Sequence, residues 1–341
     1  METETDQSSL HMDNNHERTR VKRGDDDDDD GGIDLLPDDV LLEILRRLDL
    51  RMAVKAGAVA RRWRQLTRLL PDLDIDVATM VPLPHRRWDF PVDQVMTAYT
   101  NAVTWFLLPT HHLRSLRLAF YLADGPYLCS IGDAMTAITA GRLELTILTP
   151  YVEFTIQDNV AHAGPPGVVF GRRFASFLAG YPLAFSQLTG LALQDIVFSS
   201  MSEITRLLNT CHRLQLLSLT HCAGSVWEIN ASSLSLLALE LHDCFFNVVE
   251  LSRVPKLERL VCDASTTVQS MRFGCVPCLG IINLSARHLQ CYFDNPAGLS
   301  PAFSSLTDVH LCNLDISKMA WILSVLHAAP FLNNLYIEVR T

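Results

Sequence analysis

The sequence predicts a mixed α+β / α/β solenoid, with three short helices first and then an irregular array of stacked repeats around a parallel inner sheet. Two observations support this prediction. Apolar residues recur at helical spacing between Ile33 and Leu70, and from His111 onward short apolar alternations recur at intervals of about 21 to 27 residues. With 341 residues and 48% hydrophobic content, the chain is long enough for about two domains.

The segment 1–34 forms an acidic tail with twelve acidic and four basic side chains, so its net charge of −8 is most of the chain's net charge of −10. The run Asp25 to Asp30 is flanked by glycines and has no apolar residue to bury, so we expect residues 1–34 to be disordered. A solvating leader is the favoured interpretation of this tail. A contact with a basic surface is the alternative that its charge leaves open.

The first helix is predicted to begin at Pro37, because a fixed φ suits the first helical turn and because Asp38 and Asp39 suit the positive end of the helix dipole. Its apolar positions at helical spacing are Val40, Leu41, Ile44, Leu45 and Leu48. A second segment carries Met52, Val54, Ala58 and Val59. A third runs from Arg61 to Leu70, presents Trp63, Leu66 and Leu70, and ends at Pro71. Three helices this short rarely bury enough surface to fold alone, so they are expected to pack on something else, which implies a partner protein.

This segment resembles the F-box. The resemblance lies in Leu36-Pro37-x-x-Val40-Leu41-x-x-Ile44-Leu45-x-x-Leu48, followed by Val59-x-Arg61-Arg62-Trp63-Arg64. It covers almost the whole motif and departs from it at Ala60, where the family often has Cys or Ser. The resemblance implies that residues 35–70 dock on a Skp-type adaptor, which holds the cullin and RING subunits of a ubiquitin ligase. The implied adaptor-binding residues are Leu36, Pro37, Val40, Leu41, Ile44, Leu45, Leu48, Val59 and Trp63.

The F-box segment also carries eight basic residues against four acidic ones. A nucleic-acid surface is disfavoured, because these arginines lie in helices whose apolar faces need a protein partner and the rest of the chain has no complementary basic stripe. Residues 71–110 are interrupted by five prolines and are predicted to be a linker, within which Val95 to Leu108 has the pattern of one helix.

From His111 to Thr341 the chain follows the template L-x-x-L-x-L. The first copy is Leu113, Leu116 and Leu118, and a degenerate second is Leu143, Leu145 and Ile147. Seven further copies begin at Leu188, Leu214, Leu236, Leu257, Leu279, Leu306 and Leu332. Their spacing is that of leucine-rich repeats, in which each repeat is stabilised by stacking on its neighbours. Residues 149–187 interrupt the series and are predicted to form a loop or a distorted repeat.

Strand period two places the residues that flank each central leucine on the inner face of the solenoid. We expect that face to bind the target protein. Its predicted residues are Gln194, Ser218, Glu240, His242, Asp263, Asn283, His310, Tyr336 and Glu338. This mixed and slightly acidic surface suits a polar or basic protein segment.

Nine cysteines in a chain whose N-terminus lacks the pattern of an export signal are expected to be reduced. Cys222 and Cys244 each follow the last leucine of a copy by three residues, where leucine-rich repeats use Asn or Cys to bond the turn backbone. A zinc site of Cys275, Cys278, His288 and Cys291 is the disfavoured alternative, because a predicted strand separates the two halves of the ligand set. No metal and no cofactor is therefore expected.

The function implied by the F-box resemblance is that of a substrate receptor in a Skp-cullin-F-box ubiquitin ligase; an adaptor-bound scaffold that does not promote ubiquitination is the alternative. No phosphate-binding, nucleophile-elbow or zinc-protease motif occurs, so no catalytic residue is predicted. No apolar run is long enough to span a bilayer, so we expect no membrane contact, and we expect the chain in the cytoplasm or nucleus. The arrangement is similar to that of large plant F-box families, some of which carry a further C-terminal domain; this sequence ends at Thr341, just after a repeat.

Overall fold

Three helices open the part of the chain that the computed structural model describes, which is residues 36–80, 91–107, 112–150, 166–230, 235–263, 266–285, 302–314 and 319–339. They are α1 (Asp38–Arg46), α2 (Leu50–Val59) and α3 (Arg61–Thr67). Pro37 is the N-cap of α1 and so lies one position before the first turn in which the sequence placed it. The acidic tail lies outside the described residues.

The remaining described elements are strands and helices, with strands alone from β6 to β13. In chain order they are β1 (Asp72–Asp76), a 3-10 turn (Val77–Met80), α4 (Val92–Phe106), β2 (His112–Tyr121), α5 (Tyr127–Ala137), β3 (Thr139–Leu148), α6 (Pro166–Gly180), α7 (Pro182–Ser186), β4 (Gly190–Gln194), β5 (Val197–Phe198), α8 (Met201–Thr210), β6 (Leu216–Thr220), β7 (Ala223–Asn230), β8 (Ala238–His242), β9 (Phe245–Arg253), β10 (Arg259–Cys262), β11 (Thr267–Cys275), β12 (Ile281–Ser285), β13 (Asp308–Leu314), α9 (Met319–Ala328) and β14 (Asn334–Val339).

Ten of the strands form one parallel sheet, the inner sheet, in the order β1-β2-β3-β4-β6-β8-β10-β12-β13-β14. Its register confirms the repeat template. The central leucines of successive copies, Leu191, Leu217, Leu239 and Leu260, pair directly across neighbouring strands, and so do the last apolar residues of those copies. Each of these leucines is buried. In these four copies the alternation therefore predicts correctly which side faces the core, whereas Leu335 and Ile337 of the last copy are 36% and 38% exposed.

The outer layer changes from helix to strand along the array. Strands β5, β7, β9 and β11 form a second parallel sheet. Helices α4 to α8 belong to the first part of the described array, and α9 belongs to its last part. The three shortest repeats, which begin at Leu214, Leu236 and Leu257, have a long strand in this layer, and the longer repeats that begin at Leu188 and Leu306 contain α8 and α9. A short repeat can cross the outer layer only as an extended segment, because a strand covers about twice as much length per residue as a helix. The core lies between the two layers; within it Trp227 of β7 packs on Phe246 with ring centroids 5.1 Å apart.

The predicted linker and the predicted interruption both contain regular secondary structure. The predicted linker 71–110 contains β1, which pairs in register with β2 from Asp72 to Asp76, so the inner sheet begins directly after α3. The helix predicted within this segment is α4. In the interruption predicted at 149–187, the described residues 166–186 form α6 and α7, which supply the outer layer between β3 and β4. Residues 151–165 lie outside the described part.

Candidate protein-interaction sites

The three N-terminal helices α1, α2 and α3 are held together by a few polar contacts. Arg62 of α3 donates from Nε to the Asp38 carboxylate at 2.8 Å and from its terminal nitrogen to the Leu36 carbonyl at 2.7 Å, which fixes α3 against the start of α1. Asp49 caps α2 by accepting a hydrogen bond from the Met52 backbone N–H at 2.7 Å. These contacts hold the apolar positions of α1 in one orientation.

The predicted adaptor-binding residues divide into three groups. Leu41 and Leu45 are fully buried in the chain's own core, and Leu36 and Trp63 are half-buried against that core. Val40, Ile44 and Leu48 are exposed, with exposed fractions of 42%, 36% and 37%, and the N-cap Pro37 is exposed beside them. Val59 ends α2, and its side chain is outside the described part. In this conformation α1 stabilises the fold with one row of side chains and presents another to solvent.

Helix α2 adds exposed apolar residues that the predicted set did not include. Met52 and Val54 are exposed by 48% and 43%. Val54 lines a cleft of about 1150 Å³ together with Leu48, which follows α1, with residues of β1 and with Trp105 of α4. The cleft joins segments far apart in sequence, so spacing along the chain gives no signal for it. It extends the exposed apolar surface of α1 toward the first strand of the solenoid.

The predicted target-binding residues occupy two adjacent rows of the inner sheet. Ser218, Glu240, Asn283, His310 and Tyr336 belong to one row, in which Glu240 and Asn283 are separated by Val261 of β10. Gln194 and His242 lie in the next row, on either side of Thr220. Asp263 follows the end of β10, and Glu338 lies two residues beyond Tyr336 on β14. The structure therefore brings the predicted residues onto one face of the sheet.

A third row of charged residues was missed by the sequence analysis. Arg117 of β2 lies between Asp74 and Glu144 of the flanking strands, at 3.9 Å and 2.7 Å from their carboxylates. Burial raises the pKa of Asp74, and the positive charge of Arg117 opposes that shift. Further along, Arg259 pairs with Glu240 at 3.2 Å. This row lies two residues before the first row on each strand, so strand period two also predicts it.

Histidines join neighbouring carboxylates at the ends of the strands. His242 lies 3.5 Å from Asp263 and 3.8 Å from Glu240. His221 lies 3.3 Å from Asp195 and 3.1 Å from Asp243. Asp195, His221 and Asp243 each have φ between 50° and 54° and follow the last strand residue of three successive repeats, so the same left-handed turn recurs. These side chains link the turns of successive repeats.

The residue after the left-handed residue makes a second series of contacts in two of these turns. These contacts confirm the prediction that Cys222 and Cys244 bond the turn backbone. The Cys222 thiol donates to the Leu193 carbonyl at 3.5 Å, and the Cys244 thiol donates to the Leu219 carbonyl at 3.3 Å. Burial raises the pKa of Cys222, which keeps its thiol protonated as a donor. Thr266 takes the same role in the next repeat, donating to the Leu241 carbonyl at 3.0 Å.

The structure describes only two of the four residues of the disfavoured zinc site. Cys275 and Cys278 are exposed free thiols, and His288 and Cys291 lie outside the described residues. Among the residues with described positions, no group of three or more His, Cys, Asp or Glu side chains has the arrangement of a metal site. In the same residues, no helix has both the length and the apolar character needed to cross a bilayer.

Known proteins with similar sequences match both parts of the chain. Residues 33–70 match the F-box-like family, and residues 168–285 match the family described as FBD-associated F-box protein At5g56370, LRR repeats. A putative FBD-associated F-box protein of Arabidopsis thaliana, At5g56440, is 24% identical over 231 residues. That alignment covers 62% of this chain and 48% of the relative, so the chain spans about half the length of the curated relative it matches.

The family matches agree with the architecture element by element. The F-box-like match ends at Leu70, directly before β1, and the repeat match runs from α6 to β12 across both sheets. F-box proteins with leucine-rich repeats are typically non-catalytic adaptor proteins. Three short helices followed by registered parallel repeats, together with these matches, support the identification of the chain as a plant-type F-box protein with leucine-rich repeats.

Proposed function

We propose that the chain is the substrate-recognition subunit of a Skp-cullin-F-box ubiquitin ligase. The F-box docks on a Skp-type adaptor, and the inner face of the solenoid binds a target protein. The receptor performs no bond chemistry in this arrangement: it holds a target lysine close to a charged conjugating enzyme, so its contribution to the rate is proximity. Cytoplasm and nucleus are the compartments in which we propose that it acts.

The observation that carries the docking step is the exposed apolar row of α1. Val40 and Ile44 of α1, and Leu48 two residues after its end, remain exposed, while Leu41 and Leu45 of α1 are fully buried in the chain's own core. Apolar surface left in water at helical spacing marks a binding site for another protein, since its burial is worth about 25 cal/mol per Å². The F-box-like match over residues 33–70 supports a Skp-type adaptor as that partner.

The inner face supports target binding for a different reason. Its exposed side chains come from ten parallel strands that are adjacent in space although they span residues 72–339. A wide surface of variable side chains on a rigid sheet is the binding surface that solenoid proteins use. The available charge is less than the sequence suggested, because Glu240 is paired with Arg259 at 3.2 Å.

The experiment is reconstitution of the full chain with a Skp-type adaptor, a cullin and a RING subunit, followed by size-exclusion chromatography. We expect all four proteins to elute as one complex. Elution of the chain apart from the adaptor would reject the ligase function. If the complex forms but the abundance of no cellular protein changes when the chain is lost, the adaptor-bound scaffold is the correct alternative.

A further inference from the structure

The last two strands of the inner sheet carry a stacked aromatic pair. His310 of β13 and Tyr336 of β14 are register partners, and their rings lie 4.3 Å apart with 22° between their planes. Strand β14 is the final strand in the sheet order, and Tyr336 is 56% exposed. His310 therefore covers one face of the phenol ring, and more than half of Tyr336 is exposed in the described part of the chain.

Carboxylates lie on both sides of this ring along the strand direction. Asp308 accepts hydrogen bonds from Asn334 at 2.6 Å and from the Thr307 hydroxyl at 2.7 Å, and both lower the pKa of the Asp308 carboxyl, so it is ionised at neutral pH. Glu338 is exposed two residues after Tyr336, on the same side of β14. Residues two apart on a strand are about 7 Å apart, which places a carboxylate within reach of a group stacked on Tyr336.

The surrounding part of the inner face has an excess of negative charge. In the rows from β8 to β14, the described charged side chains are Arg259 against Glu240, Asp263, Asp308 and Glu338. Arg259 is already paired with Glu240. The carboxylates nearest the Tyr336 ring therefore have no arginine of these rows beside them, and an incoming cation is attracted to this end of the sheet.

An exposed aromatic face between carboxylates fits a guanidinium group. The guanidinium is planar, stacks on aromatic faces and donates in a fork that matches a carboxylate, whereas the ammonium of lysine is compact, strongly hydrated and cannot stack. The same chain uses this geometry elsewhere, where Arg68 lies over the Trp105 ring at 4.9 Å. A phosphorylated or acidic segment is repelled by Asp308 and Glu338.

We propose that Tyr336, stacked on His310 and flanked by Asp308 and Glu338, is an arginine-recognition subsite for a basic segment of the target protein. This proposal rests on the proposed function, since it names the chemistry of a target bound to the inner face. The subsite selects arginine over lysine at one position of the segment.

The test measures the affinity of the full chain for two fluorescein-labelled peptides of Gly and Ser that carry either three arginines or three lysines. Both peptides have the same charge, so attraction by the acidic face alone predicts equal binding. We expect the arginine peptide to bind about fivefold more tightly, in the range of a cation stacked on an exposed ring. Equal binding of the two peptides by the parent chain overturns the proposal.

Two substitutions locate the preference. Tyr336→Leu, at an exposed position, is expected to abolish the preference for arginine, whereas Tyr336→Phe keeps the ring and retains it. The matched control is Phe245→Leu, because Phe245 is 49% exposed on β9 of the other sheet and its loss is expected to change nothing. A preference that survives Tyr336→Leu, or that is lost in Phe245→Leu, overturns the assignment to Tyr336.

Adaptor binding, measured on the same samples, separates the two proposals. A chain that binds the Skp-type adaptor but shows no preference between the peptides rejects the arginine subsite and leaves the ligase function standing. A chain that shows the Tyr336-dependent preference but fails to bind the adaptor supports the subsite and rejects the ligase function.

Discussion

Val40 and Leu41 are neighbours in α1, yet Leu41 is fully buried and Val40 is 42% exposed. Leu41 packs in the chain's own core, so Leu41→Ala is expected to lower the free energy of unfolding by about 2–5 kcal/mol. Val40→Ala is the matched control, and its effect on unfolding is expected to stay within about 0.5 kcal/mol. Urea denaturation of both variants measures the difference. Equal losses of stability would contradict this division of the helix.

The Thr266 hydroxyl joins two neighbouring repeats. It accepts a hydrogen bond from the Cys244 N–H at 3.2 Å and donates to the Leu241 carbonyl at 3.0 Å, and Thr266 is 2% exposed. Thr266→Val keeps the shape and leaves both backbone groups without this partner, so we expect a loss of about 1–3 kcal/mol in chemical denaturation. Thr136→Val on the exposed side of α5 is the control. A neutral Thr266→Val would mean that these buried groups do not depend on the hydroxyl.

Substitution of two glycines of α6 by alanine is expected to have opposite effects on stability. A Cβ at Gly171 would collide with the Val197 carbonyl oxygen of β5, whereas a Cβ at Gly180 would meet nothing within 4 Å. Because backbone gives way less easily than a flexible side chain, Gly171→Ala should destabilise the chain by about 1–3 kcal/mol. Gly180→Ala should be neutral or slightly stabilising. Thermal unfolding of the two variants is the comparison, and a Gly171→Ala variant as stable as the parent would show that α6 does not pack tightly on β5.

Thiol reactivity should follow burial. Burial raises the pKa of Cys211 to about 12, so this thiol stays protonated from pH 7 to pH 9 and is also shielded from reagents. Cys275 and Cys278 are exposed. The thiolate is the reacting species, so an alkylating reagent at pH 8 should label Cys275 and Cys278 about a hundredfold faster than Cys211. Mass-spectrometric mapping of the labelled sites provides the rates; comparable labelling of Cys211 would show that the layer around it opens easily.

The repeat register was predictable because it depends on local alternation. Leu217, Leu239 and Leu260 stand at the same place in three copies of one template, and strands with a buried face tolerate no slip of one residue. Strand β1 was missed because Asp72–Asp76 contains two apolar residues between three aspartates and is followed by prolines. Its identity as a strand comes from pairing with β2, which is tertiary information.

Which apolar residues of α1 are buried and which are exposed could not be derived from their spacing along the chain. Leu41 with Leu45, and Val40 with Ile44, both recur at an interval of four, so each pair has the pattern of a helix face. Only the packing of α1 on α3 and the core decides which pair is buried. Helix α6 is a different case, since Phe170, Phe174 and Phe177 recur at helical spacing and are buried. That signal was present in the sequence and was overlooked because the leucine template is absent there.

The affinity of the full chain for a Skp-type adaptor, measured by titration calorimetry, tests the central claim most directly. The informative variant is Val40→Asp with Ile44→Asp, because both positions are exposed and the change leaves the buried Leu41 and Leu45 in place. Glu240→Lys on the inner face is the control. We expect the double variant to lose at least about thirtyfold in affinity with an unchanged unfolding midpoint, while the control binds like the parent. Parent-like binding by the double variant would contradict docking through the exposed row of α1.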